Sequence, residues 1–322
     1  MWTEEFARLL EESTVGKPLV GDALALKDRH LPGRVYKYRC DTPYSRENLS
    51  SDTVWMASPE SYNDPYDSWL TFPRDTLLQL LEARLVDPFV DATKLRGAVS
   101  PTDIENARAS AVPLATVLEQ VRAVKGAATF GYWSDKTKSY LSELHQYAQA
   151  TVSRIEQFRR REKVCSFSAV SDSILMWSHY ADHHKGLCIE YEIERLDADH
   201  RFRKNLYPVL YSRKFYNLDR FMTDLTSGSG DQLRSMIPLL AMLHKFDGWR
   251  YEEEWRLIRE TEAIEADHNW DAPIPSRVIL GAKFEPSVGR DLLQICRQKA
   301  VPLFQMHLAP DKFELLEQRF AG

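Results

Sequence analysis

What most restricts the folds open to this chain is a break in its hydrophobic rhythm. Short segments with two-residue alternation, rich in β-formers, flank a long block whose apolar residues recur every three or four positions. The block runs from about Asp75 to Lys163. Within it, DTLLQLLEARL, VPLATVLEQVRAV and LSELHQYAQATVSRIEQFRRR have helical periodicity. In the last of these, Leu141, Leu144, Ala148, Val152, Ile155 and Phe158 form one stripe, and Arg159 to Arg161 place cations where a helix C-terminus favours them. Before the block, Trp2 to Leu10 predicts a short helix, and Val35 to Cys40 and Thr53 to Ser58 predict strands. After it, KVCSFSAV, GLCIEYEI, LYPVLYS, WRYEEEWRLIRE, SRVILGAKF and VPLFQMHLA predict strands. Helices are expected over DSILMWSHYADHH, closed by Gly186 as a C′ glycine, over DQLRSMIPLLAMLHKF and over DLLQICRQKA.

Strands and helices mix without a regular βα repeat, and no Gly-rich loop follows a strand. Nothing therefore supports a doubly wound dinucleotide fold or a phosphate loop. The expected class is α+β, a mixed or antiparallel sheet core with a long helical insertion. The expected organisation is an N-terminal helix and leader over 1–33, an α+β core over 34–72 and 163–322, and a helical insertion over 73–162. The net charge of −5 argues against a generic nucleic-acid coat. The 4 cysteines, Cys40, Cys165, Cys188 and Cys296, are widely spaced and are expected to be buried, reduced thiols. The N-terminus lacks a signal-peptide pattern and no segment has the length of a membrane span, so a cytoplasmic protein without membrane contact is expected.

Polar and aromatic residues concentrate in a few segments. On a strand through WRYEEEWRLI, Glu252, Glu254 and Arg256 share one face and Glu253, Trp255 and Leu257 the other. Carboxylates held side by side raise each other's pKa, while an arginine lowers it, so one of the pair can act as a base. In RVYKYRC, Tyr36 and Tyr38 face one way and Lys37 and Arg39 the other; Arg39 can hold a phosphate in bidentate fashion. Ser166 and Ser168 share a face of CSFSAV and leave room for a ribose. Trp177, His179 and Tyr180 suit a cleft wall, with Lys185 in reach of an anion. His179 and His183 have the i, i+4 spacing of a metal pair, but no third ligand is in view and no metal is expected. Asn63 and Asp64 are expected to cap a turn before Pro65.

YKYR, SYNDPYD, SFS, SILMWSHYADHHKGLCIEY, WRYEEEWRLI and VILG, in this order, resemble the bacterial family known as domain of unknown function 2971, over roughly residues 34–72 and 163–285. That resemblance implies an association with bacterial defence and toxin-like loci and no settled activity. A second resemblance is to ADP-ribosyltransferases of the arginine–serine–glutamate type. It implies NAD as substrate, with Arg39 on the diphosphate or ribose and Ser166 or Ser168 supporting the nicotinamide ribose. Glu254 would stabilise an oxocarbenium-like state, Glu252 would orient or deprotonate an acceptor, and Trp177, Tyr180 or Tyr38 would stack on nicotinamide. His179 would complete the wall. The acceptor, protein or nucleic acid, is left open, as are a homo-oligomer and a neutralising partner. Two alternatives remain open: a magnesium-dependent nuclease using Asp64, Asp67, Glu252 and Glu254, and a nucleotide-binding sensor without turnover.

Overall fold

The computed structural model of the chain describes residues 1–13, 18–68, 74–214, 239–259, 261 and 264–320. It is an α+β protein. The strands of its main sheet are β1 (Arg34–Arg39), β3 (Lys163–Ser168), β4 (Leu187–Glu192), β5 (Leu206–Pro208), β8 (Glu254–Arg259), β10 (Arg277–Leu280), β11 (Leu303–Leu308) and β12 (Leu315–Arg319). Their order is β12-β11-β10-β4-β1-β3-β8-β5. The sheet is mixed: β10 and β11 run parallel, and the other neighbours run antiparallel. A small antiparallel pair, β2 (Thr53–Met56) with β9 (His268–Asp271), joins β3 through a bridge between Ala57 and Val164. A second small pair, β6 (Leu210–Ser212) with β7 (His244–Phe246), is parallel.

The long helical block is α4 (Arg74–Ala92), α5 (Pro101–Ala109) and α6 (Pro113–Arg161). These helices enclose an apolar cluster of their own, with Val86, Val90, Leu95, Ile104, Val117 and Val121 at its centre. The helix α6 is interrupted at Gly126, whose φ of 80° lies where only glycine is at ease. Of the stripe expected along α6, Ala148 is buried, while the side chains of Ile155 and Phe158 lie outside the described residues. The strands before and after the block come together in one sheet: β1, from before it, lies between β3 and β4, from after it.

One face of the sheet carries a continuous core, including Val35, Cys165, Phe167, Leu187, Ile189, Tyr191, Trp255, Leu257 and Val278. Covering it are α3 (Pro43–Ser50), with Leu49, α8 (Arg201–Lys204), with Phe202, and α9 (Arg290–Gln298), with Leu292, Leu293 and Cys296. The opposite face is divided. Towards β12, Tyr36, Tyr38, Cys188, Ile279 and Met306 pack under Met176 and Trp177 of α7 (Ile174–Tyr180). Towards β5, Val164 and Ile258 pack with α1 (Trp2–Glu12), α2 (Val20–Arg29) and Leu240, Met242 and Leu243. Between these two apolar patches the same face presents Ser166, Ser168, Glu254 and Arg256.

Several expectations need correction. The stretch before Gly33 contains a helix, α2, and residues 268–271 and 315–319 are strands that alternation did not reveal. Trp249 to Glu252 is not strand but a tight helical turn over Asp247–Glu252; β8 begins only at Glu254, because Glu253 is left-handed, with φ 43° and ψ 50°. Of the helix expected over 231–246, residues 231–238 lie outside the described residues, 239–243 are helical and 244–246 form β7. Cys40 is exposed; Cys165, Cys188 and Cys296 are buried, and all four are free thiols. No described helix is long and apolar enough to cross a membrane.

The role of Gly186 also differs. The helix α7 ends at Tyr180, and the chain turns through left-handed Asp182, His183 and His184, with φ of 46°, 53° and 71°. Gly186 donates to the Ala181 carbonyl at 2.8 Å, and a Cβ there would stand 2.2 Å from the Arg39 carbonyl oxygen. Close approach to β1, not backbone handedness, demands glycine. Gly186→Ala is expected to lower stability by about 1–3 kcal/mol, read from urea unfolding; an unchanged midpoint would show that β1 yields without loss.

Candidate functional site

Between the two apolar patches lies a cavity of about 200 Å³ whose lining includes Tyr36, Tyr38, Tyr62, Asn63, Ser166, Met176, Tyr180, Lys245, Glu252 and Glu254. Its floor is a buried charge network. Arg256, fully buried, donates from Nε to Glu254 Oε1 at 2.8 Å and from Nη2 to both oxygens of Asp67 at 2.7 Å. Its Nη1 reaches Ser68 Oγ at 3.0 Å and the Met242 carbonyl. Lys245 donates to Glu254 Oε2 at 2.7 Å and to Glu252 Oε2, and lies 3.6 Å from Asp67 Oδ2. Tyr180 donates to Glu252 Oε1 at 2.7 Å. The Tyr211 hydroxyl accepts the backbone N–H of Glu254 at 2.9 Å.

Local chain geometry explains why these groups meet. The left-handed Glu253 reverses the backbone between Glu252 and Glu254, so both carboxylates reach Lys245 although only Glu254 is in the strand. The reversal is pinned to β3: Ser168 Oγ donates to the Glu252 carbonyl at 2.7 Å, and the Ala169 N–H donates to the Glu253 carbonyl at 3.0 Å. The SYNDPYD turn supplies the other side. Asp64 accepts the Tyr66 N–H at 2.9 Å, closing an Asx turn, and Asp67 and Ser68 then fall on Arg256. Lys245 arrives on β7, opposite Tyr211 of β6.

The electrostatics separate the two glutamates. Burial penalises the charge of Glu254, but Arg256 and Lys245 outweigh that and hold its pKa below the ordinary carboxylate range. Glu252 is pushed the other way: burial raises its pKa, Lys245 opposes this, and the neighbouring Glu254 adds to it. Lys245 keeps its proton firmly, because Glu254 and Glu252 overcome the effect of burial. The floor thus holds the carboxylates Asp67, Glu252 and Glu254 against the cations Lys245 and Arg256. Among the described residues, Glu252 shares Lys245 with Glu254 and makes no contact with Arg256 that would match Glu254's second cation. The walls are aromatic, and one of them, Tyr62, has a buried hydroxyl beside Ser166.

The residues read from sequence divide as follows. Ser166, Tyr38, Tyr180, Glu252 and Glu254 line the cavity. Ser168 also lines it, but its hydroxyl is taken by the Glu252 carbonyl and the Val170 N–H. Tyr38 donates to the Val170 carbonyl at 2.9 Å and contributes its ring alone. Trp177 is fully buried in the core, with Nε1 on the Ser171 carbonyl, and is not in the wall. His179 is exposed beside the mouth, and His183 lies beyond the end of α7, so the i, i+4 pair does not form on a helix. Arg39 does not line the cavity. Strand alternation puts it with Val35, on the face opposite Tyr36 and Tyr38, towards Tyr191. The arginine–serine–glutamate trio is therefore split across the sheet. Asp64, Asp67, Glu252 and Glu254 do not compose a metal-ligand set either: Asp64 is bonded to Trp249 and Tyr66, and the other three are turned onto Lys245 and Arg256. Among the described residues no group of three His, Cys, Asp or Glu side chains is placed to hold a metal ion. Sequence reading missed Lys245 altogether, since it lay inside a presumed helix and no alternation marked it.

Fold and site together define an α+β protein with an aromatic-walled, acid-floored cavity at the centre of one sheet face. Residues 176–257 match the family model described as protein of unknown function (DUF2971). The matched stretch runs from α7 to β8 and so contains Tyr180, Lys245, Glu252, Glu254 and Arg256. No curated protein and no solved structure matches the chain.

Two isosteric substitutions should behave oppositely. Glu254→Gln leaves Arg256 and Lys245 short of a buried counter-charge and is expected to cost about 3–5 kcal/mol. Glu252→Gln removes a charge whose burial is disfavoured and is expected to leave stability unchanged or slightly higher at neutral pH. Urea unfolding at pH 7 compares them; equal losses would contradict the division of roles. The pH dependence has a defined sign. The pKa of Glu254 is lowered on folding, so its stabilisation is present above the ordinary carboxylate range and is lost as pH falls through and below that range. The pKa of Glu252 is raised, so its contribution is full below that range and is lost as pH rises through the raised value. Unfolding of Glu254→Gln should accordingly be less sensitive to acid than that of the unaltered protein.

Proposed function

We propose that the chain acts on the N-glycosidic bond of NAD, releasing nicotinamide and passing ADP-ribose to water or to an acceptor. The observation that carries this reading is the carboxylate of Glu252, held by Tyr180 and Lys245 and facing an aromatic-walled cavity. A cavity lined by carboxylates and π faces favours a cation over a phosphate. The nicotinamide ring of NAD is such a cation, and the ribosyl centre becomes one as the bond breaks. The C1′–N bond breaks with its electron pair leaving on the nicotinamide nitrogen, which becomes neutral. The nucleophile, water or an acceptor, adds to C1′ and gives its proton to the Glu252 carboxylate. The raised pKa of Glu252 suits it to this role as base. Glu254 stays ionised, fixes Lys245 and Arg256 and so positions Glu252. The Ser166 side chain lines the cavity, where its hydroxyl can bond a ribose.

Relative to the arginine–serine–glutamate resemblance, the roles shift. Glu252 rather than Glu254 is the reacting carboxylate, and Arg39 has no part in the site. A place among toxins or phage-defence effectors, and with it a neutralising partner, rests on the family resemblance. The alternative of a sensor that binds without turnover is favoured by the hydrogen bonds from Tyr180 and Lys245, which already occupy both oxygens of Glu252.

The test is nicotinamide release from NAD by the purified protein. Release should fall by about 10²–10⁴-fold in Glu252→Gln and persist in Arg39→Ala. Loss of release in Arg39→Ala with retention in Glu252→Gln would refute the assignment. NAD binding with no release by the unaltered protein would favour the sensor.

A further inference from the structure

The cavity is too small for a whole dinucleotide: about 200 Å³, against roughly 300–1,000 Å³ for sites that enclose drug-sized ligands. If one end of NAD occupies it, the other end must lie outside. What lies at the mouth is a run of rings. Tyr180, in the cavity wall, stands 6.3 Å from His179, centroid to centroid; His179 stands 6.3 Å from Tyr251, and Tyr251 stands 6.1 Å from Trp249. The Trp249 ring also sits 5.4 Å from Lys245 Nζ, so the run returns to the cavity floor. Trp249 and Tyr251 are half-buried and His179 is exposed, so their remaining surface faces outward.

Trp249 is held in place, because its Nε1 donates to Asp64 Oδ2 at 2.8 Å, and Asp64 is itself fixed by the Asx turn. A tryptophan anchored by its only donor beside a cavity presents a fixed π face. The same anchoring holds the ring near Lys245 of the floor and, with Trp249 only half-buried, leaves part of it facing the mouth.

Building on the proposed function, we infer that Trp249, Tyr251 and His179 form a second planar-ring subsite, which takes the adenine end of the dinucleotide while the cavity takes the nicotinamide end. The substrate class is thereby a two-ringed dinucleotide rather than a nicotinamide mononucleotide. Recognition at the mouth is by stacking and tolerates other purines, since every base offers a π face. Asp64 acts through Trp249 as a positioning residue.

Calorimetric binding of NAD and of nicotinamide mononucleotide, to the unaltered protein and to Trp249→Ala and Trp249→Phe, tests this. NAD should bind more tightly than the mononucleotide. Trp249→Ala should weaken NAD by roughly 5- to 100-fold and leave the mononucleotide unchanged, and Trp249→Phe should restore most of the loss. Equal affinity of the unaltered protein for the two ligands, or equal weakening of both by Trp249→Ala, would overturn the second subsite while leaving the cavity assignment standing. Binding of neither ligand would overturn both.

Discussion

The rest of the site depends on the pairing of Arg256 with Asp67 and Glu254 in the interior of the protein. A guanidinium fully removed from water is tolerable only when its donors are satisfied. Here Nε, Nη1 and Nη2 all find acceptors, on β8, on the SYNDPYD turn and on the Met242 carbonyl. Lys245 then adds β7 and the turn before β8 to the same cluster. The stretch from Met242 to Arg256 and the remote SYNDPYD turn are thus fixed relative to one another by charge, at the point where the apolar face of the sheet is interrupted. The cavity exists because that interruption cannot be filled by apolar side chains without stranding the ions.

The second constraint is the left-handed backbone at Glu253. A continuous strand through residues 252–254 would also place both carboxylates on one face, but with the separation of alternate strand residues. The reversal instead directs both onto a single ammonium group. That difference generates the asymmetry: Glu254 is shared between Arg256 and Lys245 and is ionised, whereas Glu252 shares Lys245 and is completed by a phenol. One carboxylate becomes structural and the other chemically available. The same reversal puts Tyr251 and Trp249 on the rim, so the reacting carboxylate and the outer rings are set by one turn.

Much of this was legible in the sequence where local pattern governs. Two-residue alternation located β1, β3, β4, β10 and β11, and helical periodicity located the block from α4 to α6, because burial on one face leaves a period in the chain. Ser166, Glu252 and Glu254 were found because alternation sets them opposite residues of evident core character, and Tyr38 and Tyr180 because they are aromatic residues in the same polar–aromatic segments. The errors arise where tertiary contact overrides pattern. Trp249 to Glu252 reads as strand but turns, since Ser168 and Ala169 capture the Glu252 and Glu253 carbonyls. Arg39 has the right residue type at a strand end, yet its parity with Val35 assigns it to the other face; the alternation that separated it from Tyr36 and Tyr38 was already visible. Lys245 gave no signal, because an isolated lysine after an apolar helix is ordinary and only the fold brings it to two glutamates. The match to a family of unknown function spans α7 to β8, the stretch in which those non-local contacts concentrate.

The central claim is that the cavity recognises a positively charged ring through the carboxylate of Glu252, which shares Lys245 with Glu254. Comparing the affinities of oxidised and reduced NAD addresses it most directly, since the two differ in the charge of the nicotinamide ring and little in shape. The oxidised form should bind more tightly. Its advantage should shrink as pH falls through the raised pKa of Glu252 and vanish in Glu252→Gln. Equal binding of the two forms, or tighter binding of the reduced form at neutral pH, would contradict the claim.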